Sequence, residues 1–162
     1  MSTPKAHVLV AEAGVIHISP FGFYSFGTKY LRVAKLARTD AGSDFSPVPY
    51  YLYCRALELF FKAYLLAHKV PKSTLKAKKV GHRLDVLLSM ARDHGLETIV
   101  PITVAQEAEI VKANNYYAGK DLEYFEPWRA ATAFQGLPDL ALLETTASLL
   151  ADRLRSICLS AA

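Results

Sequence analysis

The sequence predicts an all-α protein, an up-and-down bundle of about five helices. Three observations predict it: apolar residues recur three and four apart in several long segments, the connections between them are short, and no alternating strand-helix pattern appears. At 162 residues the chain fits one domain large enough to bury an unassisted core. With 52% hydrophobic and 21% charged residues, its composition is that of a folded globular protein rather than a disordered one. No repeat at the 30–50-residue scale is visible.

Residues 1–21 read as an N-terminal arm and residues 22–160 as the bundle. In the arm, Val8-Leu9-Val10 and Val15-Ile16-His17-Ile18 flank Gly14, which leaves open a short strand pair. The arm does not read as a secretory signal, because His7, Glu12 and His17 interrupt its apolar stretch and no small-x-small cleavage site follows it before Pro20. From Gly22 to about Arg38, Phe23, Phe26, Tyr30, Val33, Ala34 and Ala37 recur at helical spacing with Lys29, Arg32 and Lys35 between them. Turn-forming residues 39–44 end that helix. Ser46-Pro47-Val48-Pro49 then supplies a cap and prolines that suit a helix start.

The second helix, about residues 48–68, is the longest apolar element and the expected centre of the core. Arg55, Glu58 and Lys62 interrupt it, so it is not read as a membrane span. Those three residues and Lys69 form one thin polar stripe on an otherwise apolar rod. A charged row on a buried helix needs partners or a wet cleft. Pro71 ends this helix, and residues 73–79 suit a short helical turn. An amphipathic segment follows with Leu84, Leu87, Leu88 and Ala91 on one face and Gly95 as its stop. Thr103 and Gln106 have capping-box spacing and open the next helix, which runs to about Tyr117. Residues 118–136 read as an ordered aromatic loop. Pro138 precedes the last helix, where Leu140, Leu143, Ala147, Leu150, Leu154 and Ile157 form a seam that wants a neighbouring helix.

The net charge of +4 is local. Between Lys62 and Asp85 there is no acidic residue, while Lys69, Lys72, Lys76, Lys78, Lys79 and Arg83 contribute six positive charges. Without these six, 13 basic and 15 acidic residues remain, a net of −2. This pattern suits a patch that faces an anion, such as RNA or nucleotide phosphates, and equally a solvated lysine-rich loop. Cys54 and Cys158 match no metal or redox spacing and are read as buried thiols in a cytoplasmic protein.

Arg55, Glu58, Lys62 and His82 form the candidate site. Glu58 and Lys62 have ion-pair spacing, Arg55 reaches Glu58 from the turn before, and His82 opens the helix after the basic connector. An imidazole beside a carboxylate can carry a proton, and the same groups suit a polar network that fixes helix register, with Asp85 or backbone carbonyls completing it. A second candidate is Asn114, Asn115, Tyr116 and Tyr117 with Lys120, Tyr124, Trp128 and Arg129. Aromatic faces beside cations stack bases, and they also suit a core rim or a subunit interface. No dinucleotide-binding glycine pattern, phosphate-binding loop, zinc-protease motif, nucleophile elbow or Glu-x-x-His pair is present, so no cofactor or metal is implied.

The run from Tyr51 to Leu66, with Ala56-Leu57-Glu58 followed by Lys62-Ala63, then a basic connector and Gly81-His82-Arg83-Leu84, resembles prokaryotic HEPN-like proteins. The resemblance is best over residues 50–96. It implies an all-α bundle, often a homodimer, in a superfamily that includes ribonuclease toxins of toxin-antitoxin pairs, RNA-binding components and non-catalytic members. Its active ribonucleases carry an arginine, four to six residues, then a histidine. None of the five histidines here has an arginine at that distance. Lys62 stands six before His68 but lacks the planar fork that grips a phosphate. The resemblance therefore implies a non-catalytic, dimeric binding or assembly module. A metal-independent ribonuclease using His82 or His68, and a purely structural interaction domain, are the alternatives.

Overall fold

The computed structural model describes residues 19–40, 45–123 and 136–161. The strand pair expected in the N-terminal arm, and Tyr124, Trp128 and Arg129, lie outside them. Among the described residues there are six α-helices and no strand: α1 (Pro20–Asp40), α2 (Pro47–Ala67), α3 (Lys72–Lys76), α4 (Leu84–Asp93), α5 (Val104–Tyr117) and α6 (Leu140–Ser160), with a single 3₁₀ turn at Leu96–Thr98. The all-α bundle expected from the sequence is the observed architecture. Its five long helices are the five anticipated, and the short turn expected in the connector is α3.

The helix ends follow local chemistry. Ser19 Oγ accepts from the Gly22 amide at 3.1 Å, which starts α1 two residues before the expected position. Ser46 caps α2 through the Val48 amide, and Pro47 occupies a first-turn position where no amide donor is needed. Thr103 and Gln106 form the expected capping box on α5. Asp139 caps α6 by accepting from the Ala141 and Leu142 amides. Gly95, at φ +84, follows α4 in the left-handed conformation that glycine adopts without strain. The N-terminus of α4 has no cap of its own: Asn114 of α5 accepts from the Leu84 amide at 2.8 Å.

The centre of the core is α2, whose Tyr53, Leu57, Phe60, Phe61, Tyr64 and Leu65 are fully buried. Each such side chain contributes about 1.5–3 kcal/mol on leaving water. Helices α1, α4, α5 and α6 surround it. Cross-helix bonds fix their directions. Tyr24 of α1 donates to the Ala151 carbonyl of α6, while Arg38, about four turns on, pairs with Glu144, which also accepts from Tyr53 of α2. Gly27 of α1 faces Phe60 of α2. Hence α1 runs antiparallel to both α2 and α6. Asn114 meets Leu84 and Glu107 meets Arg92, so α5 opposes α4.

One connection returns before the next helix begins. Lys62 meets the Gly81 carbonyl and Tyr64 meets the His94 carbonyl, so α4 runs in the same direction as the second half of α2. Residues 68–83 carry the chain back along α2, and this return brings His82 beside Glu58. The two cysteines are free and buried, as expected, and burial pushes the Cys158 thiol up to about 11. No helix among the described residues is long and apolar enough to cross a membrane.

At Gly27, α1 packs tightly on α2: an added Cβ would stand 2.9 Å from the buried Phe60 ring. Alanine gains about 1 kcal/mol of helix propensity over glycine, whereas overpacking a core typically costs about 1–3 kcal/mol. Gly27→Ala is therefore expected to lower the urea midpoint, and Gly27→Val to lower it further. An unchanged midpoint in the valine variant would refute the tight contact.

Candidate functional site

The polar stripe of α2 ends in a single buried carboxylate. Glu58 is 0% exposed. Its Oε1 accepts from Lys62 Nζ at 2.5 Å and from Arg55 Nη1 at 2.9 Å, and its Oε2 accepts from the Tyr117 hydroxyl at 2.5 Å. His82 Nδ1 lies 3.1 Å from the same Oε2. A carboxylate only accepts, so Nδ1 carries the proton and Nε2 carries the lone pair when the ring is neutral. The His82 side chain is 52% exposed. Lys62 also donates to the Gly81 carbonyl at 2.6 Å. Four donors from three parts of the chain thus satisfy both oxygens of one carboxylate.

The electrostatics of the cluster follow. Burial alone would push the Glu58 carboxyl up. The charges of Lys62 and Arg55 and the hydrogen bonds from Lys62 and Tyr117 outweigh it and hold the group below its ordinary value. Burial, the Glu58 charge and the shared hydrogen bond push the Tyr117 phenol up, so it stays a donor. Arg55 is moved down by burial but further up by Glu58 and Tyr117, and remains charged.

Arg55, Glu58, Lys62 and His82 are thus brought together. Lys69 leaves the stripe, because α2 stops at Ala67 and Lys69 adopts a left-handed backbone at φ 65. Asp85 does not complete the network. It binds Arg83 through two bonds of 3.0 and 2.6 Å instead, and the Gly81 carbonyl takes the role. His68 is separate from Lys62: its Nδ1 donates to the Tyr64 carbonyl at 2.9 Å while Lys62 is engaged with Glu58 and Gly81.

A cleft of about 650 Å³ opens over the network. Among the described residues, six cationic side chains line it, Arg55, Lys62, Lys76, Lys78, Arg83 and Lys120, against Glu58 as the one carboxylate. Phe23, Leu59 and Leu75 supply apolar wall. Of the connector residues, Lys76, Lys78 and Arg83 face the cleft, while Lys72 is half-buried and Lys79 exposed outside its lining. In the second candidate, Asn115 is exposed and Tyr116 half-buried, whereas Asn114 and Tyr117 are buried in the α4 cap and the Glu58 network. Among the described members of that group, Lys120 lines the cleft.

Two members of the network were not assigned to it from the sequence. Tyr117 carried a usable signal: Ile110, Ala113 and Tyr117 share the inward face of α5, and a buried phenol needs an acceptor. The Gly81 carbonyl carried none, since any residue has one. Comparison with protein families, with curated proteins and with solved structures finds no match.

Removing Glu58 leaves Arg55 and Lys62 without their counter-charge. Glu58→Gln is expected to lose about 3–5 kcal/mol in chemical denaturation at pH 7, and Tyr117→Phe about 1.5–3 kcal/mol. The depressed Glu58 value sets the pH dependence. Its contribution is complete above the unfolded value, near 4.5, and is lost as pH falls through the lower folded value. The gap between wild type and Glu58→Gln should therefore narrow below pH 4.5; a gap that is constant in acid contradicts this assignment.

Proposed function

We propose that the protein is a non-catalytic, HEPN-like binding module that takes RNA or nucleotide phosphates in the cationic cleft. The observation that carries this reading is the imbalance of charge in one concave site. Glu58 is already matched by Arg55 and Lys62, and Arg83 by Asp85, while Lys76, Lys78 and Lys120 project with no ion pair among the described residues. A like-charged cleft with apolar wall attracts polyanions strongly, because phosphate binding releases condensed counterions. The HEPN resemblance implies a homodimer, and the exposed Phe26, Val33 and Leu36 on one side of α1 offer an apolar surface suited to it.

Titration of labelled single-stranded RNA at several salt concentrations tests the reading. Affinity should fall with salt, and Lys76→Glu with Lys78→Glu should flatten the logarithmic slope by about 1.4, at about 0.7 per phosphate contact. Absent binding at low salt, or binding indifferent to both salt and these substitutions, overturns it.

One observation favours a second reading, a metal-independent ribonuclease. Glu58 holds the His82 tautomer, leaving Nε2 with a lone pair at the exposed edge of the cleft, beside cations able to stabilise charge on a phosphodiester. RNA cleavage in EDTA that disappears in His82→Ala is its expected signature. Cleavage retained in that variant eliminates His82.

A further inference from the structure

Away from the cleft, α2 and α4 end side by side, and each ends on a histidine. His68 is the C-cap of α2 and His94 the C-cap of α4. Their ring centroids are 6.1 Å apart. In sequence they are 26 residues apart and match no metal-ligand spacing, so only the return of residues 68–83 along α2 makes them neighbours.

The two imidazoles are held in the same way. His68 Nδ1 lies 2.9 Å from the Tyr64 carbonyl and His94 Nδ1 lies 2.8 Å from the Met90 carbonyl, each reaching back four residues. A carbonyl only accepts, so both Nδ1 atoms carry hydrogen and both Nε2 atoms carry the lone pair in the neutral rings. This is how metal-binding histidines are commonly oriented: the far nitrogen donates to a backbone carbonyl, which fixes the tautomer and raises the basicity of the ligating nitrogen. Orientation is reinforced from below. The His68 ring packs against Tyr64 at a 40° tilt with centroids 4.1 Å apart, and the Tyr64 hydroxyl donates to the His94 carbonyl at 2.8 Å, so one fully buried phenol supports both residues.

The two helix ends contribute partial charge of the matching sign. Parallel helices that end together place two sets of terminal carbonyls, each equivalent to about half a negative charge, on the same side of the molecule. With metal–nitrogen bonds of about 2.0–2.1 Å, two imidazoles sharing one ion have ring centroids roughly 5–6.4 Å apart, depending on the angle at the metal. The observed 6.1 Å, with the ring planes at 72°, lies toward the wide-angle end of that interval. Both rings are exposed, so water can complete the coordination.

We propose that His68 and His94 form a two-histidine site for a borderline transition-metal ion of the zinc, nickel or copper class. Imidazole nitrogen selects these ions over magnesium and calcium, which demand oxygen ligands. A bound ion ties the end of α2 to the end of α4 and so braces both sides of the segment that carries the cationic connector. The site is independent of the cleft, and its ligands take no part in the Glu58 network.

The experiment is a calorimetric titration of the full, tag-free chain with Zn²⁺ and with Ni²⁺, with Mg²⁺ as the comparison, repeated on His68→Gln and His94→Gln. One equivalent of Zn²⁺ or Ni²⁺ should bind and raise the melting temperature, and each variant should lose about tenfold or more in affinity. Mg²⁺ should not bind. Should a variant fold poorly, the imidazole NMR signals of the wild-type chain decide: those of His68 and His94 must move together on adding Zn²⁺. Wild-type affinity in both variants, or Zn²⁺ shifts confined to other histidines, overturns the proposal.

Discussion

One buried carboxylate organises this molecule. An ionised side chain stripped of water costs several kcal/mol unless charge and hydrogen bonds replace the solvent. Glu58 obtains them from its own helix through Arg55 and Lys62, from α5 through Tyr117 and from the return segment through His82. Because the donors come from three separate parts of the chain, satisfying the charge and setting the helix positions are the same event. Sliding α5 by one residue would turn the Tyr117 hydroxyl away by about 100°. The carboxylate thus acts as a register pin, and the apolar residues around it provide the bulk of the stability.

The same constraint shapes the surface above it. Lys62 is anchored at both ends of its reach, to Glu58 and to the Gly81 carbonyl, so the basic connector is held against α2. That anchoring gathers Lys76, Lys78 and Arg83 on one side of the cleft and leaves Lys120, arriving from the end of α5, also in its lining. The cleft and the core are therefore continuous: its floor is the polar network, and its cations are placed by the element that the network fastens. Arg83 has its own neutraliser in Asp85, which separates it from the lysines as a source of free charge.

Much of this was legible in the residues. Five long helices, the Thr103–Gln106 capping box, the Ser46 cap and the grouping of Arg55, Glu58 and Lys62 follow from spacing, because helical phase places side chains and an unmatched charge on an apolar rod demands partners, whereas His82 joins them only through the return of residues 68–83. Other features were not legible. Lys69 had the correct phase for the polar stripe, but phase holds only while the helix continues, and α2 stops two residues earlier. The choice of the Gly81 carbonyl over Asp85 depends on backbone position, which composition does not encode. The parallel course of α2 and α4, and hence the meeting of His68 with His94, comes from the path of residues 68–83 and has no local sequence signature.

The cap on α4 bears on how the chain folds. A helix of 10 residues is below the length at which isolated helices persist in water, and α4 lacks a side-chain cap of its own at Arg83. The missing acceptor is Asn114, 30 residues downstream. The first turn of α4 is therefore completed only when α5 is in place, while its apolar face already packs on α2. A nascent chain halted before α5 emerges would lack the acceptor for the Leu84 amide, so the start of α4 should fray first.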